Sequence, residues 1–522
     1  PTQHNHFKVR SQMKKKAIFA IVFSLFVISF LKVVPISPVL AEEPQFDPSG
    51  AISIENQFCI SHGNSRIPEL ADFVEGFGAK INRNNIMWNQ VEEPYGSNNY
   101  IWQYYDDMYS NDSARGIEHL GVFVFGRGGW PDSNYVAPSE YTEWLMFVEA
   151  FVNRYKDNLT YYEMWNEPDI GFWDGTDDEF FYFLNMTTHK VLELDNDAII
   201  LSPGVSGPDW EYLDKMISWF GDEAFNSLFD IIAFHSYPNR NPEHLTYRIE
   251  QVKCIAENHH FKGEYWITEI GFTTSVRTEE QVQDYIDEVE ILQAESVLKH
   301  YTQSIHENMS AIFWYDLLDW CGDPYYGEEW FGLITCDYWN VDHWEYKYKP
   351  AGHAYDKFCS MIQDGTYFPR GSIVQSITPE NIWCYYFYTP KNTTVIVAWS
   401  QSSASMASIS FNLPGHSTPE FDIRDHWYTT YLYKTKENLT RYDFELTNSP
   451  VLFEIDFSDY FSAEGLNDQP ITLFLNVSHD TFSFIYIVSV VVLLVGAIAL
   501  VSLKYRKRRI VAKSTTRKEE SS

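Results

Sequence analysis

Eight short apolar runs, separated by segments with helical periodicity, constrain the fold of this 522-residue chain more than any other feature. Within residues 51–318 the runs are, in order, AISIENQF, GAKINRNNI, HLGVFVFG, LTYYEMWN, AIILSPGV, DIIAFHSY, EYWITEIG and AIFWYDLL. Between them lie helical patterns such as RIPELADFVEGF and EYTEWLMFVEAFVNRY. Eight strands with helical crossovers predict an α/β fold, a parallel (β/α)8 TIM barrel. An open doubly wound sheet is the alternative, but no glycine-rich phosphate loop follows the first run.

The helical periodicity disappears from Cys359 to about Leu475. Short runs such as IWCYYFYTP, TTVIVAWSQ and PVLFEIDF are separated there by turn residues, which is typical of an antiparallel β-sandwich. We therefore predict the TIM barrel at 42–358, a β-sandwich accessory domain at 359–475 and a linker at 476–483.

Residues 1–41 have the pattern of a secretory signal peptide. Three lysines, residues 14–16, precede an apolar run at 17–31, and small residues allow cleavage after Ala41. An uncleaved membrane anchor is the alternative interpretation.

A second apolar segment at 484–503, FIYIVSVVVLLVGAIALVSL, contains no charged residue. Its length is sufficient for a transmembrane helix, and a buried core helix is the weaker alternative. The basic sequence KYRKRR follows, which predicts that residues 504–522 form a cytoplasmic tail. The two ends together predict a single-pass cell-surface protein with an extracellular catalytic domain.

Glycosylation and disulfide signals agree with an extracellular location, although each is weak alone. Six cysteines allow fifteen sets of three disulfides, and Cys321 and Cys336 are close enough in sequence to close one loop. The Asn-x-Ser/Thr pattern also arises by chance. The sequons are at Asn111, Asn158, Asn185, Asn308, Asn392, Asn438 and Asn476.

The formal net charge is −34, and both ends are basic, so the acidic charge is concentrated between them. Such a field disfavours nucleic acid and polyanionic glycans and favours neutral partners. A saline or acidic environment is another explanation for the charge. The adjacent His259 and His260 are interpreted as part of a surface loop, and we expect no metal and no cofactor.

Two glutamates follow predicted strands that end at the same side of the barrel. Glu167 follows the fourth run and Glu269 ends the seventh, and reactive groups of such barrels lie at the carboxyl ends of the strands. Glycosidic bond cleavage needs two facing carboxyl groups, one that protonates the leaving oxygen and one that attacks or stabilises the sugar carbon. Buried structural ion pairs are the alternative.

These motifs resemble those of clan A glycoside hydrolases, most of all families 39 and 5. WNEPD matches the acid/base motif and WITEIGF the nucleophile motif. The match extends in order through GAKINRNNIMWNQVEEPYGSNNYIW, DIIAFHSYP and AIFWYDLLDW, and so covers nearly the whole first domain. The third strand and its loop, GVFVFGRGGWPDSNY, depart from family 39 xylosidases. The sugar, the linkage and endo or exo action therefore stay open.

The resemblance implies a role for each matching residue. Arg83 could instead form an ordinary salt bridge, and His235 could be a satisfied core histidine. A retaining mechanism is implied, with Glu167 as acid/base, Glu269 as nucleophile, Asn166 bonded to the sugar 2-hydroxyl, Arg83 keeping Glu269 ionised, Tyr237 bonded to Glu269, His235 facing the cleft and Trp314 as the stacking floor under the sugar.

Aromatic residues make up 17% of the chain, and most of them are expected in the core. Because sugars stack on aromatic rings, Trp130 and Trp173, with Trp320 and Trp330, are candidate subsite walls. The sequence therefore predicts a membrane-anchored extracellular retaining glycoside hydrolase acting on a carbohydrate substrate. A catalytically inactive glycan-binding or adhesion protein, and a transglycosylase of surface glycans, are the alternatives.

Overall fold

The computed structural model describes the barrel region and much of the C-terminal region. The predicted signal peptide, membrane segment and cytoplasmic tail lie outside the described residues, as do Trp130, Cys321 and Asn392. Within the described part of the chain, no helix combines the length and apolarity that a membrane crossing needs. The described residues are 52–128, 134–206, 210–238, 244–275, 284–320, 326–336, 345–367, 373–375, 382–391, 393–400, 405–412, 421–427, 432–439, 441–456 and 472–478.

Eight parallel strands close into a barrel in chain order, which confirms the predicted (β/α)8 barrel. The first predicted run is placed too early, because Ile52–Ser53 pairs with Thr366–Tyr367 in another sheet and the first barrel strand begins at Phe58. The barrel strands are β1 Phe58–Ser61, β2 Ile81–Ile86, β3 Glu118–Phe123, β4 Tyr161–Met164, β5 Ile199–Leu201, β6 Ile231–Ser236, β7 Glu264–Ile270 and β8 Ala311–Trp314.

Helices connect the strands, and their sequences explain where they begin and what they bury. A proline lies in the first turn of α1, and the capping box of α4 is formed by Thr176 and Glu179. The buried face of α3 includes Trp144, Phe147 and Phe151, at helical spacing. The helices are α1 Pro68–Gly76, α2 Gln103–Ser113, α3 Tyr141–Tyr155, α4 Asp177–Leu194, α5 Trp210–Phe220, α6 Asp222–Leu228, α7 His244–Asn258, α8 Asp284–His306 and α9 Pro350–Ile362.

The inner face of the barrel carries an apolar cluster that is separate from the core between strands and helices. We call it the lower layer. Because side chains alternate along a strand, the residue two positions later on each strand also faces inward. The buried members of the lower layer are Cys59, Ile81, Leu120, Leu201, Ile231, Ala233, Trp266, Ala311 and Phe313.

The remaining described strands form three sheets. Every neighbouring pair in the seven-stranded sheet is antiparallel, which confirms the predicted antiparallel sheet; its packing as a sandwich stays a prediction. In sheet order its strands are Ile52–Ser53, Thr366–Tyr367, Ile382–Tyr388, Thr393–Ser400, Val451–Asp456, Phe421–Trp427 and Leu432–Leu439. A four-stranded sheet, with one parallel pair, contains Ile373–Gln375, Thr472–Ser478, Ser405–Asn412 and Arg441–Leu446, and Ile334–Cys336 pairs with Tyr346–Tyr348.

Candidate active site

A buried charged layer lies directly above the lower layer. Arg83 on β2, Glu163 on β4 and His235 on β6 each follow an inward-facing residue of the barrel by two positions. All three are fully buried. The alternation of the strands therefore places charged side chains towards the carboxyl ends of the barrel, where barrel enzymes have their active sites.

Strand β7 supplies two consecutive residues to this layer. The hydroxyl of Thr268 donates to Glu163 Oε1 over 3.3 Å, and Arg83 Nη1 donates to Glu269 Oε1 over 2.6 Å. Successive residues of a regular strand would face opposite sides. The register of β7 shifts at this point against both neighbouring strands, and such an irregularity re-aims side chains.

Arg83 joins the carboxylates of the site. Its Nε and Nη2 donate to the two oxygens of Glu163 over 2.7 and 3.0 Å, and Nη2 also donates to Asn166 Oδ1 over 2.8 Å. Burial alone would lower the pKa of Arg83, but Glu163 and Glu269 raise it, so the guanidinium stays charged. Its hydrogen bonds fix the positions of both carboxylates and of the Asn166 amide.

Glu163 also depends on a glycine in the loop after β5. A Cβ on Gly204 would lie 2.6 Å from Glu163 Oε1 and 2.4 Å from His235 Nε2. Only glycine leaves room for both side chains at their observed positions. Sequence analysis did not single out Glu163; the available signal was a charged residue inside the aromatic run YYEMW.

Glu167 lies just beyond the end of β4, in an unusual backbone conformation. The φ angles of Trp165 and Glu167 are 85° and 42°, in the left-handed region that most residues avoid. Such conformations cost on the order of 1–3 kcal/mol each and occur often at functional sites. The amide of Glu167 donates to the carbonyl of Gly204 over 2.9 Å, which anchors this turn against the neighbouring loop.

His235 lies between the two predicted catalytic glutamates. Its Nδ1 is 2.7 Å from Glu167 Oε1 and 3.5 Å from Glu269 Oε2. Its Nε2 is 3.5 Å from Arg83 Nη2 and 3.9 Å from Glu163 Oε1. Burial would lower the pKa of His235, but Glu269 and Glu167 raise it to about 10. As these distances show, both ring nitrogens of His235 lie against other protein side chains.

Glu269 is held as a carboxylate. Burial by itself would raise its pKa, but His235 and Arg83, with a smaller contribution from the hydrogen bond of Tyr237, lower it to about 2. The hydroxyl of Tyr237 donates to Glu269 Oε2 over 2.6 Å. The contacts of Arg83 and Tyr237 with Glu269 are those that the sequence resemblance implies.

Ligand atoms of Glu167, His235 and Glu269 all lie within 4.8 Å of one another. In geometry this group could hold a metal ion. Because the carboxylates raise the pKa of His235, a metal would have to displace a proton from this histidine. It would also compete with Arg83 for Glu269. The arrangement fits a protonated histidine between two carboxylates more closely.

Trp314 is not brought to the carboxylates, contrary to its predicted place as the stacking floor. It is fully buried on the outer face of β8, next to the inward-facing Phe313. Its indole N–H donates to the carbonyl of Phe331 over 3.1 Å, and its ring lies 6.1 Å from the ring of His300 on α8.

Tyr315 is the aromatic residue that β8 directs to the site, two positions after Phe313. Its ring centroid lies 6.2 Å from that of Tyr237 and 5.3 Å from that of His62. Burial, opposed by Glu269 and assisted by Arg83, lowers the pKa of His62 to about 4 and keeps that ring neutral. Tyr315 and His62 are thus uncharged groups beside Glu269.

The candidate subsite walls differ in their exposure. Trp173 is buried between Trp165 and Phe183, and its indole N–H donates to the carbonyl of Thr176 over 3.1 Å, so it belongs to the core. Trp330 is half-buried, and Trp320 is exposed. Of the predicted walls that the described residues include, Trp320 offers the largest free surface.

No protein-family model and no curated protein matches the sequence. In fold, the chain is similar to a family 39 glycoside hydrolase from Bacteroides cellulosilyticus, with a TM-score of 0.58 and 17% identity over 77% of this chain and 81% of that one. A GH30 endoxylanase from Clostridium papyrosolvens gives a TM-score of 0.52 and 15% identity over 78% and 97%. A family 51 α-L-arabinofuranosidase from Bifidobacterium longum gives a TM-score of 0.53 and 11% identity over 77% of this chain and 96% of that one. These similarities confirm the predicted clan A resemblance at the level of the fold.

Proposed function

We propose that this protein is a retaining glycoside hydrolase, with Glu167 as acid/base and Glu269 as nucleophile. The observation that carries the proposal is the proximity of these two carboxyl groups, because one oxygen of Glu167 lies within 4.8 Å of one oxygen of Glu269, beside Arg83 and His235. Retaining glycosidases hold their carboxyl groups about 5–5.5 Å apart, whereas inverting enzymes need about 6.5–9.5 Å to admit water between them.

In the first step, a Glu269 oxygen bonds to the anomeric carbon while the glycosidic bond breaks and Glu167 protonates the leaving oxygen. The low pKa of Glu269 supports its role as the attacking anion. His235 Nδ1 is hydrogen-bonded to Glu167 Oε1, so the other oxygen of Glu167, Oε2, is the one that carries the transferred proton. Asn166 Oδ1 accepts from Arg83, so the amide nitrogen is oriented to donate to a sugar hydroxyl.

In the second step, water bonds to the anomeric carbon as the bond to Glu269 breaks. Glu167 takes the proton from this water and returns to its starting state. Two displacements at one carbon retain the anomeric configuration.

We further propose that the enzyme is secreted, glycosylated and anchored in the membrane by its C-terminal segment. The proposal is supported by the signal-like pattern of residues 1–41, the uncharged segment 484–503 and the seven sequons. Surface biotinylation of cells expressing the full chain, with and without endoglycosidase treatment, tests it. A protein that is neither labelled nor shifted in mobility would contradict it.

The enzymatic proposal is tested with the full-length protein, 4-nitrophenyl glycosides and neutral polysaccharides. Glu167→Gln should lower kcat by about 10²–10⁴-fold, the usual contribution of general acid–base catalysis. Glu269→Gln should cost more than about 10⁴-fold, as loss of a nucleophile does. Glu250→Gln, an exposed carboxylate on α7, is the matched control and should change nothing. Glycan binding without turnover by the unmodified protein would support the inactive adhesion alternative instead.

A further inference from the structure

Trp320 is an exposed indole that the proposed chemistry does not use. It lies in the loop after β8 and is 61% exposed. Leaving an apolar ring of this size in water forgoes a stabilisation of about 25 cal/mol for each Å² that could be buried. An exposed indole in a loop that follows a barrel strand at its carboxyl end is therefore a candidate contact for a ligand.

The orientation of Trp320 is fixed by two hydrogen bonds. Its indole N–H donates to Asp316 Oδ2 over 2.8 Å, and its backbone N–H donates to the carbonyl of Glu329 over 3.0 Å. Asp316 is buried, and the adjacent Asp319 pairs with buried Lys349 at 3.0 Å. The polar edge of the indole is thus satisfied by the protein, while the ring remains open to solvent.

The same loop borders the proposed reaction centre. Tyr315, which immediately precedes Asp316, lies beside Tyr237, the residue that bonds the nucleophile. The Tyr315 hydroxyl is 3.5 Å from Glu328 Oε2, next to the residue whose carbonyl holds Trp320. Trp320 therefore follows Tyr315 in the same loop and is held by Glu329, the neighbour of the residue that Tyr315 contacts.

We propose that Trp320 forms an outer sugar-binding subsite, on which a distal unit of a neutral oligosaccharide or polysaccharide stacks. The inference rests on the proposed function and adds a preference for long chains. β-Linked glucose and xylose units present flat C–H faces that suit an aromatic ring. A carboxylate at Glu328, which accepts from the Tyr315 hydroxyl, disfavours acidic sugars, in keeping with the negative charge of the chain.

The test compares cello-oligosaccharides and xylo-oligosaccharides of two to six sugars as substrates of the full-length protein. We expect kcat/KM to rise with chain length in one of the two series. Trp320→Ala should lower the ratio of kcat/KM for the hexasaccharide to that for the disaccharide by about 10–100-fold, the effect of losing one large apolar contact. Trp320→Phe, which keeps a ring, should retain most of this preference.

Trp219→Ala is the matched control, because Trp219 is 41% exposed on α5, within the outer shell of helices. It should leave the ratio unchanged. An unchanged ratio in Trp320→Ala, or an equal fall in Trp219→Ala, would overturn the inference. Turnover of 4-nitrophenyl glycosides without cleavage of either series would overturn it too, and leave the proposed function intact. Failure to cleave any glycoside would count against the proposed function itself.

Discussion

The lower layer of the barrel and the charged layer above it are built on the same strands, one inward position apart. On β2, Ile81 lies in the lower layer and Arg83 in the charged layer; on β6 the pair is Ala233 and His235. The lower layer contains mainly apolar side chains, and none of them is charged. Each member of the charged layer needs several partners, because a buried charge without them is costly. The comparison shows that residues only two positions apart on one strand differ in role. The lower residue packs the inside of the barrel, and the upper residue positions charged groups of the proposed site.

Among changes that compare the two layers, Glu163→Gln should have the largest combined effect on stability and turnover, because it removes a charge from the base of the charged layer. Glu163 does not reach the mouth, yet it accepts two hydrogen bonds from Arg83. Removing its charge should cost about 3–5 kcal/mol of unfolding free energy, as when one partner of a buried ion pair is lost. It should lower kcat about 10²-fold with little change in KM, because Arg83 and Glu269 shift. Urea unfolding and steady-state kinetics measure both effects.

A purely structural role for Glu163 would contradict that expectation. In that case the variant would lose stability but keep its kcat at temperatures where it remains folded. Glu163→Asp, which restores the charge on a shorter side chain, should recover part of the lost kcat.

Phe313→Ala tests the lower layer alone. Phe313 is fully buried against Trp266 inside the barrel, so its truncation should destabilise the protein by about 3–5 kcal/mol. The kcat of the folded variant should stay within about twofold of the original value, since the lost contacts belong to the lower layer. A large fall in kcat below the unfolding transition would show that the two layers are not separable.

The smallest expected effect is a pH dependence that belongs to the charged layer. His235 faces Glu163, Glu167, Glu269 and Arg83, and its pKa is raised from the ordinary 6.5 to about 10. The folded protein therefore keeps a proton that the unfolded chain releases. The stabilisation is complete below about pH 6.5 and is lost as the pH rises towards 10.

His235→Asn should remove this contribution. Between about pH 7 and 9, the unfolding free energy of the original protein should fall by roughly 1.4 kcal/mol per pH unit more than that of the variant. The difference isolates His235 from other groups such as Asp316, whose pKa burial raises to about 8. Parallel pH profiles for the two proteins would contradict the assignment of a proton to His235.

Sequence patterns predicted the barrel and located the two motif glutamates at strand ends, because both features depend on local periodicity and on the residues that end each strand. They could not choose between Trp314 and Tyr315, since an uninterrupted apolar run such as AIFWY gives no alternation to show which side chains face inward. The irregularity of β7, which places both Thr268 and Glu269 inside, arises from pairing with neighbouring strands. Trp173 shows the same limit, because its burial depends on α4 packing over its loop.

The measurement that tests the central claim most directly is the anomeric configuration of the first product, followed by proton NMR while a glycoside of defined configuration is cleaved. One oxygen of Glu167 lies within 4.8 Å of one oxygen of Glu269, a spacing closer to that of retaining than of inverting enzymes, so the account predicts a first product with the configuration of the substrate. An inverted first product would contradict the proposal that Glu269 attacks the sugar while Glu167 protonates the leaving oxygen.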